Sequence, residues 1–253
     1  MIGDRELLAL RSEYCALLSR LFLAEPDPEL MGLLAKDARG RARSAAEMNP
    51  AVSEGWFQLS DLCARGGPAE WAGRCGEEYV ELFVGPGIPR LTPCESHYRS
   101  GRAYGVHLAH VRRFMERVGI EPAEDATEPE DHVSFEFQIL RHLIEKQAPS
   151  ANPDEEAEWL ALQGEFLRRH LGAWAPRFFQ DLVEEKGIFF YEAFAKIGMG
   201  YIAWENELLE GWGPRGGEGE LLQIQTDRPW KGPLFDPPVP HPERVEDPPA
   251  EEE

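Results

Sequence analysis

Apolar side chains return every three to four residues through one segment after another of this chain, and nowhere do they alternate in twos. Leu7, Leu10, Tyr14, Leu17, Leu18, Leu21 and Phe22 form one such stripe, broken by Pro26-Asp27-Pro28. Asn49-Pro50 reads as a cap with proline at the first helical position, opening a segment that carries Trp56, Phe57, Leu59 and Leu62 before Gly66-Gly67-Pro68. The period returns from Trp71 through Cys75, Tyr79, Leu82 and Phe83, ends at Gly85-Pro86-Gly87, and gives way to a stiff loop holding Pro89 and Pro93. Further helices are expected across Tyr104 to Val118, closed by Gly119, across Val133 to Ile144, and from Asn152-Pro153 to Leu171. Pro176 is expected to start another, closed at Gly187, and the last carries Phe190, Phe194, Ile197, Tyr201, Trp204 and Leu208. The expectation is an all-α fold: a single bundle of about eight to ten helices, with short connections favouring antiparallel neighbours.

A chain of 253 residues, 42% hydrophobic, is long enough to bury one sizeable core. The bundle is expected over residues 1–210. Beyond Gly211 the composition turns to Gly, Pro and Asp/Glu, so residues 211–253 read as an extended acidic C-terminal arm; Leu221, Leu222, Ile224, Trp230, Leu234 and Phe235 are apolar enough to dock on the bundle or on a partner.

A formal charge of −20 opposes nucleic-acid partners and anionic membranes, and favours a basic partner. Asp4, Arg5 and Glu6 stand where an export signal would need a basic start and an apolar run, and no later window is long and apolar enough to span a bilayer. A cytoplasmic protein without stable membrane insertion is expected. Cys15, Cys63, Cys75 and Cys94 lack zinc-site spacing and read as reduced structural thiols, and His107 and His110 as ordinary surface histidines.

Catalytic signatures are missing. No phosphate-binding glycine loop, dinucleotide fingerprint, Glu-x-x-His pairing or nucleophile elbow is present, and the adjacent Glu95, Ser96 and His97 would not converge as a triad. The expectation is a protein that is not an enzyme, with no cofactor and no metal of its own.

Glu128-Pro129-Glu130-Asp131-His132, directly before the apolar run from Val133, concentrates three carboxylates at a helix entrance. Such residues can cap orphan N–H groups and complement the helix dipole, or they can form a docking site for cations. Both readings stand at this level.

Four patches together bring a family into view. Tyr79-Val80-Glu81-Leu82-Phe83-Val84-Gly85-Pro86 resembles the Tyr-x-x-Leu-Phe and Gly-Pro of the TorD and DmsD chaperones, which are related to the nitrate-reductase assembly protein NarJ. Pro93-Cys94-Glu95-Ser96-His97-Tyr98 is similar to their Pro-Tyr-Glu-Ser-Val-Tyr, departing at Cys94 and His97, and Glu128 to His132 looks like their Glu-Pro-Asp-Asp-His. Phe166 to Leu171 with Trp174 resembles their Phe-x-x-x-His-Leu-x-x-Trp.

The resemblance spans roughly residues 4–205 and implies a cytoplasmic chaperone. Its partner would be the apo form of a molybdoenzyme catalytic subunit, bound through its twin-arginine signal peptide before cofactor insertion and export by the Tat pathway. A NarJ-like assembly factor for a reductase without that leader, and a nucleotide-binding regulator, are the alternatives. The resemblance also admits a monomer or a domain-swapped homodimer, with a hinge at Gly119 to Asp131. On this reading Asp131, with Glu128 or Glu130, pairs with client arginines; Tyr79, Phe83, Pro86 and Tyr98 line the apolar part; Pro129 and Glu95 belong to the same site; and His132 orients Asp131 or senses protonation near neutrality.

Overall fold

The computed structural model describes residues 4–85, 87, 89–121, 126–147 and 152–212. All of them fall in one compact unit, Met1–Leu221. The proposed boundary at residue 210 falls inside its last helix, which takes in the first two residues of the expected arm, and Pro86 and residues 213–253 lie outside the described residues.

Among the described residues there are eleven α-helices and no strand: α1 Asp4–Leu23, α2 Pro28–Lys36, α3 Ala38–Ala45, α4 Pro50–Leu62, α5 Pro68–Tyr79, α6 Glu95–Ser100, α7 Val106–Val118, α8 Val133–Gln147, α9 Pro153–Arg169, α10 Leu171–Glu184 and α11 Phe190–Trp212. The all-α expectation holds. The short α2, α3 and α6 are too brief to declare a period in the sequence.

Local chemistry sets the boundaries. Asp27, Asn49 and Asn152 each accept a backbone N–H from the first turn of the following helix, at 2.8, 2.9 and 3.1 Å, and each is followed by proline at the first helical position. Gly119 closes α7 at φ +73°, a conformation that costs a side chain but not glycine.

Two expected starts move. Tyr104 precedes α7, exposed and at φ +56°. The helix containing Pro176 begins at Leu171, so proline lies inside α10. The chain breaks instead at His170 (φ −123°, ψ −105°), where the α9 direction ends and the α10 direction begins.

Packing follows the apolar stripes. α1 lies along α8, and α11 runs between α4 and α10. Gly55 makes the α4–α11 approach possible, because a Cβ there would stand 2.6 Å from the Ala193 carbonyl oxygen. The core also holds ions. Arg11 is fully buried and donates from Nε and Nη2 to both oxygens of buried Glu205 at 2.8 and 2.7 Å, and from Nη2 to Gln163 at 2.6 Å, tying α1 to α9 and α11. Glu78 on α5 accepts the N–H groups of Phe189, Phe190 and Tyr191 at 2.9–3.0 Å and so caps α11 from another helix.

After α5 the backbone widens into a π-turn, Val80–Val84, closed by the Gly85 N–H on the Val80 carbonyl. Single π-turns of this kind break helical register and re-aim side chains. The turn carries Phe83 and leaves Val80 and Val84 exposed.

Candidate functional site

The loop before α6 and the acidic turn before α8 lie side by side. Cys94 and His132 form an isolated antiparallel bridge; Glu95 donates its N–H to the Asp131 carbonyl at 2.8 Å, and Val133 donates to the Pro93 carbonyl at 2.8 Å. Two motifs far apart in sequence thus make one structural unit.

Within it, Asp131 faces inward. Its side chain is almost wholly buried, and Oδ2 accepts the Ser96 N–H at 2.9 Å, capping α6 from across the bridge. Its Oδ1 has no hydrogen-bond partner among the described residues. The expectation that Asp131 meets client arginines at the surface is not what this geometry presents.

His132 is buried as well. Its Nδ1 accepts the Ser134 N–H at 3.2 Å and lies 2.7 Å from the Ser134 hydroxyl, which places the ring proton on Nε2. Burial depresses its pKa to about 3. The expected protonation sensor near neutral pH is therefore corrected: this imidazole stays neutral because burial penalises its charged form.

Glu95 is the centre of the buried part. Its Oε2 accepts His170 Nδ1–H at 2.9 Å and its Oε1 accepts Arg99 at 2.6 Å, while Arg99 also donates to the Arg169 carbonyl at 2.7 Å. Burial pushes this carboxyl up, but His170 and Arg99 outweigh it and hold it below its ordinary value.

Glu136 goes the other way. Burial, reinforced by the nearby Glu95 charge, raises it well above the ordinary carboxylate value and favours its neutral form, while Oε2 accepts the Trp174 indole N–H at 2.9 Å. His107 Nδ1 lies 3.6 Å from Glu95 Oε1 and is buried, so His107 is not the ordinary surface residue the sequence suggested. His110, one turn on, is exposed.

The outer part of the turn consists of Glu128, Pro129 and Glu130. Pro129 is half-buried and its carbonyl accepts the His132 N–H at 2.9 Å. Glu130 is held by Arg112 of α7 in a two-pronged pair, Nε to Oε1 at 2.9 Å and Nη2 to Oε2 at 2.8 Å, which outweighs partial burial and keeps its carboxyl low. Glu128 is exposed and, among the described residues, makes no ion pair or side-chain hydrogen bond.

Beside Glu128 stands Tyr79, whose phenol is pushed up to about 12 by burial and then by the charges of Glu128 and Glu25. Tyr79 donates its hydroxyl to the Leu23 carbonyl at 3.1 Å and meets Phe83 edge-on at 5.3 Å. Phe83 continues to Phe178 at 6.3 Å, and Phe178 to Tyr98 at 5.8 Å. Tyr79, Phe83 and Tyr98 are each half-buried while Phe178 is fully buried, so the band of rings reaches the surface at its two ends.

A groove of about 460 Å³ between α1 and α8, lined in part by Ser19, Arg20, Gln138 and Arg141, includes none of these residues. Among the described residues no group of His, Cys, Asp and Glu is placed to hold a metal ion, and no helix is long and apolar enough to cross a membrane.

Arg112, Glu136, Arg99 and His107 were not among the expected site residues. Only Glu136 left a trace in the sequence: it falls on the apolar face of α8, three residues after Val133 and four before Leu140.

Fold and site together define an all-helical protein whose acidic turn is braced by buried carboxylates and flanked by aromatic surface. The pattern of the family described as nitrate reductase delta subunit matches residues 45–180, more than half of the chain, and the chain belongs to that family. Among curated proteins it is similar to "Chaperone protein TorD" of Vibrio cholerae serotype O1, 26% identical over 53% of this chain and 61% of that protein. "Chaperone protein TorD" of Aeromonas salmonicida is 26% identical over 66% of this chain and 76% of its own length. "Probable Tat proofreading chaperone DmsD" of Haemophilus influenzae is 28% identical over 48% of this chain and 55% of its own. The chain thus spans under two thirds of the Vibrio TorD and Haemophilus DmsD sequences.

Proposed function

We propose that this protein is a non-enzymatic cytoplasmic chaperone for an apo-molybdoenzyme catalytic subunit, which it binds through a twin-arginine signal peptide before cofactor insertion and export. Family membership and relatives named TorD chaperone and Tat proofreading chaperone support the class.

The observation that carries the peptide reading is the nearness of charge to aromatic surface: the exposed Glu128 carboxylate acts on the Tyr79 phenol, Tyr79 meets Phe83 edge-on, and the turn that carries Phe83 leaves Val80 and Val84 exposed. A peptide with two guanidinium groups followed by an apolar stretch needs those two surfaces in that order. Glu128 and Glu130 are the carboxylates for it, while Asp131, His132 and Glu95 form the frame that holds the turn. A net charge of −20 assists encounter with a basic peptide.

Titration with a peptide carrying paired arginines before an apolar run, against the same peptide with paired lysines, tests this reading. Preference for the arginine form and a loss of about 1 kcal/mol, roughly fivefold, in Glu128→Gln are expected. Equal affinity for both peptides in both proteins would sink it. The description of the family as nitrate reductase delta subunit favours a second reading, an assembly factor for a reductase without that leader. Recovery from the native host of a reductase lacking paired arginines would select it.

A further inference from the structure

We propose that Arg112 is a built-in stand-in for a client guanidinium: it occupies Glu130 and must be displaced before a client arginine docks on the acidic turn. This rests on the peptide reading above and adds the competitor that sets the threshold and selectivity of the site.

The geometry of the pair is that of ligand recognition. Arg112 presents Nε and Nη2 to the two Glu130 oxygens at 2.9 and 2.8 Å, the planar fork that a lysine ammonium cannot reproduce. The two partners are unequally buried: the Glu130 side chain is 12% exposed and that of Arg112 is 55% exposed. The carboxylate therefore stays fixed in the turn while the guanidinium can swing into water. Arg141–Glu145 joins positions on one helix, whereas this pair, like Arg117–Glu165 between α7 and α9, joins two elements, and it reaches from α7 to the acidic turn.

Two residues away, Glu128 is exposed and, among the described residues, unpaired. In the resting protein the turn holds one satisfied carboxylate and one open one. Behind them Asp131 is buried and faces inward, so Glu128 and Glu130 are the carboxylates of the turn open to a client. A client with paired arginines meets Glu128 first and gains the second contact by replacing Arg112 with a group of identical fork geometry. A lysine pair cannot make that exchange on equal terms. An internal competitor lowers apparent affinity by the fraction of time that it leaves the site open.

The test is fluorescence anisotropy with the paired-arginine and paired-lysine peptides on the full chain, comparing wild type, Arg112→Gln, Arg112→Lys and Arg112→Gln/Glu130→Gln. Urea midpoints confirm that each variant is folded. Arg112→Gln is expected to bind the arginine peptide about fivefold tighter, the effect of removing a surface ion pair worth about a factor of five. Arg112→Lys should fall between, and adding Glu130→Gln should abolish the gain. Binding of the arginine peptide by Arg112→Gln but not by wild type would also support the proposal. If wild type prefers the arginine peptide and Arg112→Gln is equal or weaker, Arg112 is only a brace and the peptide reading survives alone. If no folded variant distinguishes the two peptides, both fall together.

Discussion

His132 and Glu136 show how one helix entrance can hold two groups in their uncharged forms for the same reason, loss of water. The folded pKa of His132, about 3, lies below the ordinary 6.5, so its contribution is fully present above pH 6.5. As pH falls, the unfolded chain takes up a proton that the folded chain refuses, and stability is lost between pH 6.5 and about 3. Each pH unit in that window removes about 1.4 kcal/mol. Urea midpoints at pH 7, about 5.5 and about 4.5 are expected to fall more steeply for wild type than for His132→Gln.

Glu136 carries the opposite sign. A carboxyl whose pKa burial raises holds its proton more tightly in the fold, so its contribution is full below the unfolded value and is lost as pH rises through the folded one. Glu136→Gln keeps an acceptor for Trp174 and cannot ionise. Its thermal midpoint relative to wild type should therefore increase from pH 6 to about pH 9; a constant difference would show that Glu136 is not the protonated member beside Glu95.

At the scale of elements, α6 and α11 are capped by side chains from other elements. Asp131 caps α6 across the Cys94–His132 bridge, so Asp131→Ala is expected to cost about 1 kcal/mol of stability. Its effect on peptide affinity should be smaller than that of Glu128→Gln, because the latter residue is exposed and the former is not. Peptide titration and urea denaturation of the same two variants separate the roles.

Glu78 holds three N–H groups of α11 from α5. Glu78→Ala leaves them without that acceptor and should cost about 3 kcal/mol, with Glu78→Gln recovering part of it. Equal urea midpoints for the two variants would count against the capping role.

For the whole molecule, the buried Arg11–Glu205 pair is the long-range tie among α1, α9 and α11. Removing one partner strands a buried charge. Arg11→Met is therefore expected to cost about 3 to 5 kcal/mol, while Arg11→Met/Glu205→Leu should regain most of that loss. A double variant no more stable than the single one would show that the ion pair is not the main term. The acidic net charge, by contrast, belongs to encounter and solubility and leaves the fold unspecified.

What the sequence determined by itself is what depends on near neighbours. Periodicity, Asx-Pro starts and glycine stops are local, so the all-α class and most helix boundaries were readable, as at Asn49-Pro50 and Gly119. The sequence also marked the places where tertiary structure would have to intervene. Arg11, Glu78, Glu136 and Glu205 are charged residues at apolar-face positions, flanked at helical spacing by Leu7 and Tyr14, Cys75 and Leu82, Val133 and Leu140, Tyr201 and Leu208.

Only the tertiary structure decided which partners answered them. The bonds that bury Asp131 come from Ser96, those that engage Glu130 from Arg112, and those that centre Glu95 from Arg99 and His170. Whether a carboxylate faces water or the core depends on desolvation and on donors from other helices, and neither is a property of its own stretch of chain. That is why the acidic turn could be found by its composition while its inward and outward members could not be told apart.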